Sequence, residues 1–458
     1  LTQNNNDSKT IAQDLKNELE SKSFFIKTYG CQMNVNDSSS AKALFEQLGM
    51  REVHEEMSAD IIMISTCCVR EKAELKIYSY IGSLRAIKEE NKDLIIIISG
   101  CMSEQSGVKS AIFSRFPFVD IVIGTGMIPR LPDYLLKRIQ TERRVNYELD
   151  DTGEYEIPLR SAERVSEFVT IMKGCDNFCS YCIVPYVRGR ECSRDAEEII
   201  SEINKFAQNG CREITLLGQN VNSYGLDKPE GINFAGLLQK VANETPIDRI
   251  RFMTSHPKDL TDEVLEFMAG EQKMCRHIHL PLQSGSDSIL KKMNRKYDTE
   301  RYMHIIEYAR KLMPDIEFTT DIIVGFPGET EQDFEHTLNM MRKVRYASAF
   351  MFKYSKRSGT PAAKFLDQVD TKIKKQRLTE LMNIEAEIKK EIYTSYIGTV
   401  QEILVEDKSY QTDTFTGKTS SAVTVNFKGT SDDIGKLIKV KITKAKTNTL
   451  YAEKIEVN

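Results

Sequence analysis

The chain opens with a polar stretch, residues 1–22. It then settles into blocks in which short apolar runs alternate with longer segments of helical periodicity. Ser23–Tyr29, Asp60–Ser65, Leu94–Ile98 and Phe118–Ile123 are apolar runs of strand length, with helical patterns over Ser38–Leu48 and Lys72–Glu90 between them. Strands alternating with helices predict a parallel sheet covered on both faces. A charged stretch without periodicity, residues 146–165, reads as a linker. Further strand runs recur at Ser166–Met172, Glu213–Leu217, Arg249–Met253, His277–Leu280, Glu317–Val324 and Ala347–Tyr354, with helical stretches such as Ala196–Asn209, Phe234–Asn243 and Asp333–Val344 between them. That series is shorter than a full eight-fold barrel, so it predicts a partial (β/α) barrel. A Lys- and Glu-rich amphipathic helix over Asp370–Tyr396 leads to a segment of different character. There β-branched and polar residues alternate at Glu402–Val405, Ala422–Phe427 and Leu437–Ile442, with turns expected at Thr416–Gly417 and Lys428–Gly429. This predicts a small antiparallel β-barrel. The expected organisation is α/β: a polar tail (1–22), an N-terminal parallel α/β sheet domain (23–145), a linker (146–165), a partial-barrel core (166–396) and a small C-terminal antiparallel β-barrel (397–458).

Composition narrows the classes. A length of 458 residues fits about three domains. With 28% charged residues and 40% hydrophobic ones, the chain is neither disordered nor unusually apolar. No apolar run approaches the length of a bilayer span, and the N-terminus lacks the apolar core of a secretory leader. The expectation is a cytoplasmic protein with no membrane association. A net charge of −4 argues against a wholly basic nucleic-acid coat. It nonetheless contains Lys436, Lys439, Lys441, Lys444 and Lys446 in one stretch with no acidic residue between them. On a strand pair these would make a basic face for phosphates.

The ten cysteines carry the chemistry. In a reducing compartment clustered cysteines favour metal binding over disulfides. Cys175, Cys179 and Cys182 form a C-x3-C-x2-C loop directly after a predicted strand. Three thiolates on one tight loop can hold three irons of a [4Fe-4S] cluster and leave the fourth iron open. A zinc loop is the blander reading, but zinc sites usually close with two ligand pairs and no second pair follows. Cys31, Cys67 and Cys101 each sit just beyond a predicted strand of the N-terminal sheet. Residues at the carboxyl ends of parallel strands gather at one sheet edge, so these three form a second candidate thiolate site.

These residues carry a resemblance. The C-x3-C-x2-C loop with an aromatic before its last Cys is similar to that of the radical S-adenosylmethionine (SAM) superfamily. The runs 28–34, 66–73, 171–190 and 320–330 resemble those of its methylthiotransferases. Within that family the chain is most similar to the branch acting on isopentenylated adenosine of tRNA. The resemblance implies an N-terminal methylthiotransferase domain, a radical SAM core and a C-terminal TRAM domain that binds RNA. It implies that Cys175, Cys179 and Cys182 hold the cluster that binds SAM, and that Cys31, Cys67 and Cys101 hold an auxiliary cluster. Both would be [4Fe-4S] clusters. SAM would serve twice, as methyl donor and as radical source, because the C2–H bond of adenine is not acidic enough for any side-chain base. Tyr181, Gly218, Gln219, Ser255, Gln283, Arg295 and Asp321 are the expected SAM-binding positions, mostly at carboxyl ends of barrel strands. No catalytic residue is assigned beyond the cluster ligands. Cys68 takes a usual non-ligand position, and Cys192, Cys211 and Cys275 read as small buried hydrophobes. Asn220, His256 and Ser284 adjoin the expected SAM-binding positions as weaker candidates, and the other reading of His256, as of His277 and His279, is structural. Phe350 and Tyr354 are the aromatic candidates for the prenyl group.

The expected product is 2-methylthio-N6-isopentenyladenosine 3′ of the anticodon, and the expected partners are the tRNA anticodon stem-loop, an electron donor and a sulfur source, with the protein monomeric. Two rivals share the mechanism: methylthiotransferases of threonylcarbamoyladenosine in tRNA, and of a ribosomal-protein aspartate. A third is an iron–sulfur RNA-binding protein without catalysis.

Overall fold

A computed structural model describes residues 17–67, 71–141, 144–146, 164–228, 230–409 and 413–455. Cys68, residues 1–16 of the tail and residues 147–163 of the linker lie outside the described residues. The chain forms two compact units, one of residues 1–161 with Ile183–Arg190, the other of Ala162–Cys182 with Glu191–Asn458.

In the first unit the strands are β1 (Ser23–Thr28), β2 (Arg51–Glu52), β3 (Ile61–Thr66), β4 (Ile95–Gly100), β5 (Ile121–Val122) and β6 (Val145–Asn146). They form one parallel sheet in the order β2-β1-β3-β4-β5-β6. Every residue of β3 is buried, as expected for a strand covered on both faces. The pleat sends Ile61 and Met63 into a core with Phe24 and Phe45, and Ile62 and Ile64 into another with Ile77, Ile81 and Leu84. Each fully buried aliphatic contributes about 1.5–3 kcal/mol. The edge strands β2 and β6 have two residues each, too short to show a period.

The helix after β1 runs Gln32–Gln47, not from Ser38. Its polar first half hides its start in the sequence, yet Asn34, Asn36, Asp37, Ser38 and Ser40 are buried in the fold. Cys31 is thereby the N-cap of that helix. The segment Ile183–Arg190, read from sequence as part of the central core, belongs to this unit.

The second unit carries β7 (Ser166–Thr170), a small hairpin of β8 (Met172–Lys173) and β9 (Cys192–Ser193), then β10 (Glu213–Leu217), β11 (Arg249–Phe252), β12 (His277–His279), β13 (Glu317–Val324) and β14 (Ser348–Lys353). There are two parallel three-stranded sheets, β7-β10-β11 and β12-β13-β14, and Met274, three residues before β12, makes an isolated parallel bridge to Ile250 of β11. This is the partial barrel. Along β13 burial alternates, with Thr319, Asp321 and Ile323 on the more open face and Thr320, Ile322 and Val324 buried.

The helix Thr371–Ser395 leads into a closed barrel of β15 (Val400–Lys408), β16 (Thr414–Thr419), β17 (Thr424–Lys428), β18 (Leu437–Ala445) and β19 (Leu450–Lys454). Four pairings are antiparallel, but β17 and β19 pair in parallel, so the barrel is not antiparallel throughout. The expected turn at Thr416–Gly417 is instead the middle of β16. A Cβ on Gly417 would lie 2.5 Å from the carbonyl oxygen of Leu404, so this glycine permits close strand approach.

The barrel docks through arginines of β11. Arg249 donates to the carbonyls of Lys418 and Glu402, and Arg251 to those of Ser420 and Thr419. Arg251 also pairs with Glu213 at 3.1 Å. Ser166 donates to Glu406, and Ser420 accepts from the Arg276 amide. These attachments lie toward the amino ends of the core strands.

Lys439 and Lys441 point outward from β18 while Val440 and Ile442 fill the barrel. Across the ladders Lys439 faces Glu402 and Lys441 faces Glu453, so the lysine face is partly balanced by carboxylates remote in sequence.

Candidate active site

In the first unit Cys31, Cys67 and Cys101 follow β1, β3 and β4, three neighbouring parallel strands. The register brings their carboxyl ends to one edge, with Ser65 opposite both Thr28 and Ser99. Two glycines allow this convergence. Gly30 has φ +126, and a Cβ there would lie 2.8 Å from Cys67 Cβ. Gly100 has φ +111, and its Cβ would lie 2.2 Å from the Thr66 carbonyl oxygen. Both conformations belong to glycine.

Asn34 organises this edge. One turn into the helix after Cys31, its Nδ2 donates to the carbonyls of Tyr29 (3.1 Å) and Thr66 (2.8 Å), tying two strand ends together. Its Oδ1 accepts from Cys31 Sγ at 3.6 Å and lies 4.0 Å from Cys101 Sγ. Cys67 and Cys101 are buried while Cys31 is exposed. Cys31 and Cys101 thus both face Asn34 Oδ1, and Cys67 Cβ lies against Gly30 at the same sheet edge.

In the second unit Cys175, Cys179 and Cys182 lie on the loop after β8. Positive φ at Gly174 and Phe178 turns the loop tightly, and the Cys182 amide donates to the Cys179 carbonyl at 2.9 Å. The loop is clamped by the segment 292–295. Ser180 donates to the Lys292 carbonyl, and Asn294 Nδ2 to those of Asn177 and Phe178. The buried Arg295 donates from Nη1 to Cys179 Sγ at 3.3 Å, and Asn177 Nδ2 to Cys175 Sγ at 3.5 Å. Burial pushes the Cys175 thiol up to about 11. A metal held by this thiol would have to displace that proton, because the thiolate is the ligand.

Among the described residues no three His, Cys, Asp or Glu side chains group as ligands of a single metal ion, and none of the nine described cysteines is in a disulfide. Cys211 and Cys275 are buried as expected, but Cys192 is exposed on the short β9 strand.

The remaining expected positions divide. Tyr181 packs edge-on against Phe326. Gly218 follows β10, and a Cβ there would lie 2.7 Å from Met172 Cγ. Its carbonyl accepts from Thr254 Oγ1 at 2.7 Å, lacing the ends of β10 and β11. Gln219 and Ser255 follow these two strands. Gln219 Oε1, Asn220 Oδ1, Asn222 Nδ2, Ser255 Oγ and His256 Nε2 are all buried without a hydrogen-bond partner. Buried polar atoms are normally satisfied, so five unpaired ones in two adjacent loops mark a place built for a polar ligand. Gln283 adopts φ +66 and joins β13 through its backbone, its amide donating to Asp321 O and its carbonyl accepting from Ile323 N. Asp321 lies 3.5 Å from His279 Nε2 on the open face of β13. Phe350 pairs with Asp321 in register, is half exposed and meets the His279 ring edge-on. Tyr354 is buried against Phe326, in a cluster that Ile323 packs against.

The sequence set Asn220 and His256 beside the expected positions Gln219 and Ser255, with a structural role as the other reading of His256, and gave Asn34, Asn222 and Tyr297 no role. His256 Nδ1 accepts from the Lys258 amide, which leaves Nε2 with the proton and with no partner. Its ring packs edge-on against Tyr297, whose hydroxyl accepts from Arg295 Nε. Burial, reinforced by the charges of Arg295, Lys258 and Lys296, holds the imidazole well below its ordinary value. A folded-state value below the unfolded one means this contribution to stability is complete above about pH 6.5 and is lost as pH falls further. The expected loss approaches about 1.4 kcal/mol per pH unit below 6.5, until the folded value is reached. Urea midpoints at pH 7.5 and 5.5 measure it, and the difference should shrink in His256→Gln. An unchanged difference means that His256 is not buried neutral.

The comparisons with known proteins follow the same division. Residues 169–341 match the Radical SAM superfamily, residues 23–124 the Uncharacterized protein family UPF0004, and residues 394–455 the TRAM domain. A tRNA-2-methylthio-N(6)-dimethylallyladenosine synthase of Clostridium botulinum (strain Loch Maree / Type A3) is 49% identical over 435 residues, covering 94% of this chain and 97% of the relative. The chain belongs to this synthase family of radical SAM methylthiotransferases. A family member from Carboxydothermus hydrogenoformans is 48% identical over 93% of this chain and 97% of its own length. The solved radical SAM methyltransferase TsrM from Kitasatospora setae shares the fold at 14% identity, with a TM-score of 0.54 over 75% of this chain and 77% of its own. The cobalamin-dependent radical SAM enzyme OxsB does so at 15% identity, with a TM-score of 0.52 over 80% of this chain and 56% of its own.

Proposed function

We propose that this protein methylthiolates C2 of N6-isopentenyladenosine next to the anticodon of tRNA, giving 2-methylthio-N6-isopentenyladenosine. The observation that carries this reading is the near full-length relationship to the synthases, 49% identity over 94% of the chain. The six cysteines supply a donor set for two [4Fe-4S] clusters, with Cys175, Cys179 and Cys182 for one and Cys31, Cys67 and Cys101 for the other.

When bound, these clusters and SAM supply the radical, the sulfur and the methyl group that no side chain can provide. The chain's own residues hold and orient. Arg295 donates to Cys179 and fixes the ligand loop. The unpaired atoms of Gln219, Asn220, Asn222, Ser255 and His256 offer a mixed set of donors and acceptors to the amino, carboxylate and ribose groups of SAM. His256 Nε2–H and Asn222 Nδ2 are the nitrogen donors among them. Half-exposed Phe350, on the same strand face as Asp321, is a surface on which an unstacked base could rest. The barrel lysines add a phosphate-binding term. The reading also requires an electron donor, a sulfur source and a cytoplasmic setting, and treats the protein as a monomer. No helix of the described residues is long and apolar enough to cross a membrane.

The test is anaerobic reconstitution with iron and sulfide, reaction with isopentenylated tRNA, SAM and a reductant, and mass spectrometry of the nucleosides. The 2-methylthio nucleoside is expected. Product only on threonylcarbamoyladenosine tRNA, or only on a ribosomal protein, would transfer the assignment to a sister branch. Iron binding with no product on any of these would leave the non-catalytic reading.

A further inference from the structure

We infer that Arg188 is a positioning residue of the N-terminal three-thiol site: through Nε it donates to Cys101 Sγ and sets the electronic environment of the cluster held there. This rests on reading Cys31, Cys67 and Cys101 as cluster ligands. Arg188 ends a short helix, Val184–Arg188, that belongs to the first unit although the chain on both sides of Ile183–Arg190 belongs to the second. The guanidinium is buried, with 5% of the side chain exposed. Its Nε lies 3.2 Å from Cys101 Sγ, and Nη2 lies 2.8 Å from Asp37 Oδ2 and 3.3 Å from Asn34 Oδ1.

A buried guanidinium needs a counter-charge, and Asp37 provides it. That pairing uses Nη2 and leaves Nε aimed at sulfur. Asn34 Oδ1, which also faces Cys31 and Cys101, holds the fork in this orientation. Arg188 is 87 residues from Cys101 and 151 from Asp37 in sequence, so only the fold assembles the group. Hydrogen bonds to ligand sulfurs and local charge are among the levers on iron–sulfur reduction potential. A donor on Cys101 stabilises the more negative, reduced cluster and so raises the potential. A planar fork meets a carboxylate and a sulfur at once, which the single ammonium of lysine does less well.

The experiment uses the full chain with Cys175, Cys179 and Cys182 all changed to Ala, so that only the N-terminal site can carry a cluster. After anaerobic reconstitution this background should hold about four irons. Adding Arg188→Met should move the midpoint potential to a more negative value and change the electron paramagnetic resonance spectrum of the reduced cluster. Arg188→Lys should fall between the two. If Arg188→Met does not fold, Arg188→Lys against the parent decides, since it keeps the charge and lacks Nε–H. An unchanged potential and spectrum, with only a lower melting temperature, reduces Arg188 to a structural tether and overturns the inference. A background that binds no iron overturns the cluster reading itself.

Discussion

Cys67→Ala is expected to keep SAM cleavage while losing methylthiolation, and Cys179→Ala to lose both. The two cysteine sets are held by different strands in different compact units, so removal of a ligand from one leaves the scaffold of the other in place. Cys67 is buried at the end of β3, and its Cβ forms the wall against which Gly30 packs. Alanine keeps that Cβ and removes only the sulfur, so the first unit should fold normally. Cys179 is buried, accepts from Arg295 and sits mid-loop, where its sulfur has no substitute. Iron should fall from about eight to about four per chain in each variant. Formation of 5′-deoxyadenosine should remain near the parent rate in Cys67→Ala and drop to background in Cys179→Ala. The methylthio nucleoside should be absent from both. Full methylthiolation by Cys67→Ala would falsify the assignment of the N-terminal thiols.

Gly100→Ala should cost the first unit about 3 kcal/mol or more, a large fraction of ordinary domain stability. Two costs combine. The residue sits at φ +111, and the added Cβ would lie 2.2 Å from the Thr66 oxygen and 2.6 Å from its nitrogen. Those are backbone atoms in the middle of the sheet edge and cannot swing aside. Relief requires the ends of β3 and β4 to separate, which also parts Cys67 from Cys101. Gly107→Ala is the control. It too has positive φ, +77, but a Cβ there meets nothing within 4 Å. It should show only the conformational term, about 1 kcal/mol. Urea denaturation of iron-free protein, followed by circular dichroism, measures both. Equal losses in the two variants would mean that the strand ends do not approach as closely as described.

Much of the architecture was legible because it rests on local periodicity. Apolar runs such as Asp60–Ser65 and Leu94–Ile98 can be buried only as strands covered on both faces, and β3 and β4 form where those runs lie. The amphipathic pattern over Asp370–Tyr396 likewise became the helix Thr371–Ser395. Legibility failed where tertiary contacts overrode the local signal. The stretch 32–37 before the expected helix start carries no helical signal, but as helix it buries Asn34, Asn36 and Asp37. Thr416–Gly417 looks like a turn, but Gly417 is the point where β16 must lie close against Leu404.

The same division holds at the site. By itself the sequence determined where the six cysteines fall, beyond the ends of strands, because strand periodicity is written locally. Only the tertiary structure decided which side chains complete each set. Arg188 reaching Cys101, Arg295 reaching Cys179, Asn34 lacing β1 to β3, and the unpaired atoms after β10 and β11 all depend on parallel strand order. Parallel strands bring distant segments to one edge through long crossovers, and the orientation of a hydrogen bond there depends on packing across the sheet rather than on neighbours in the chain.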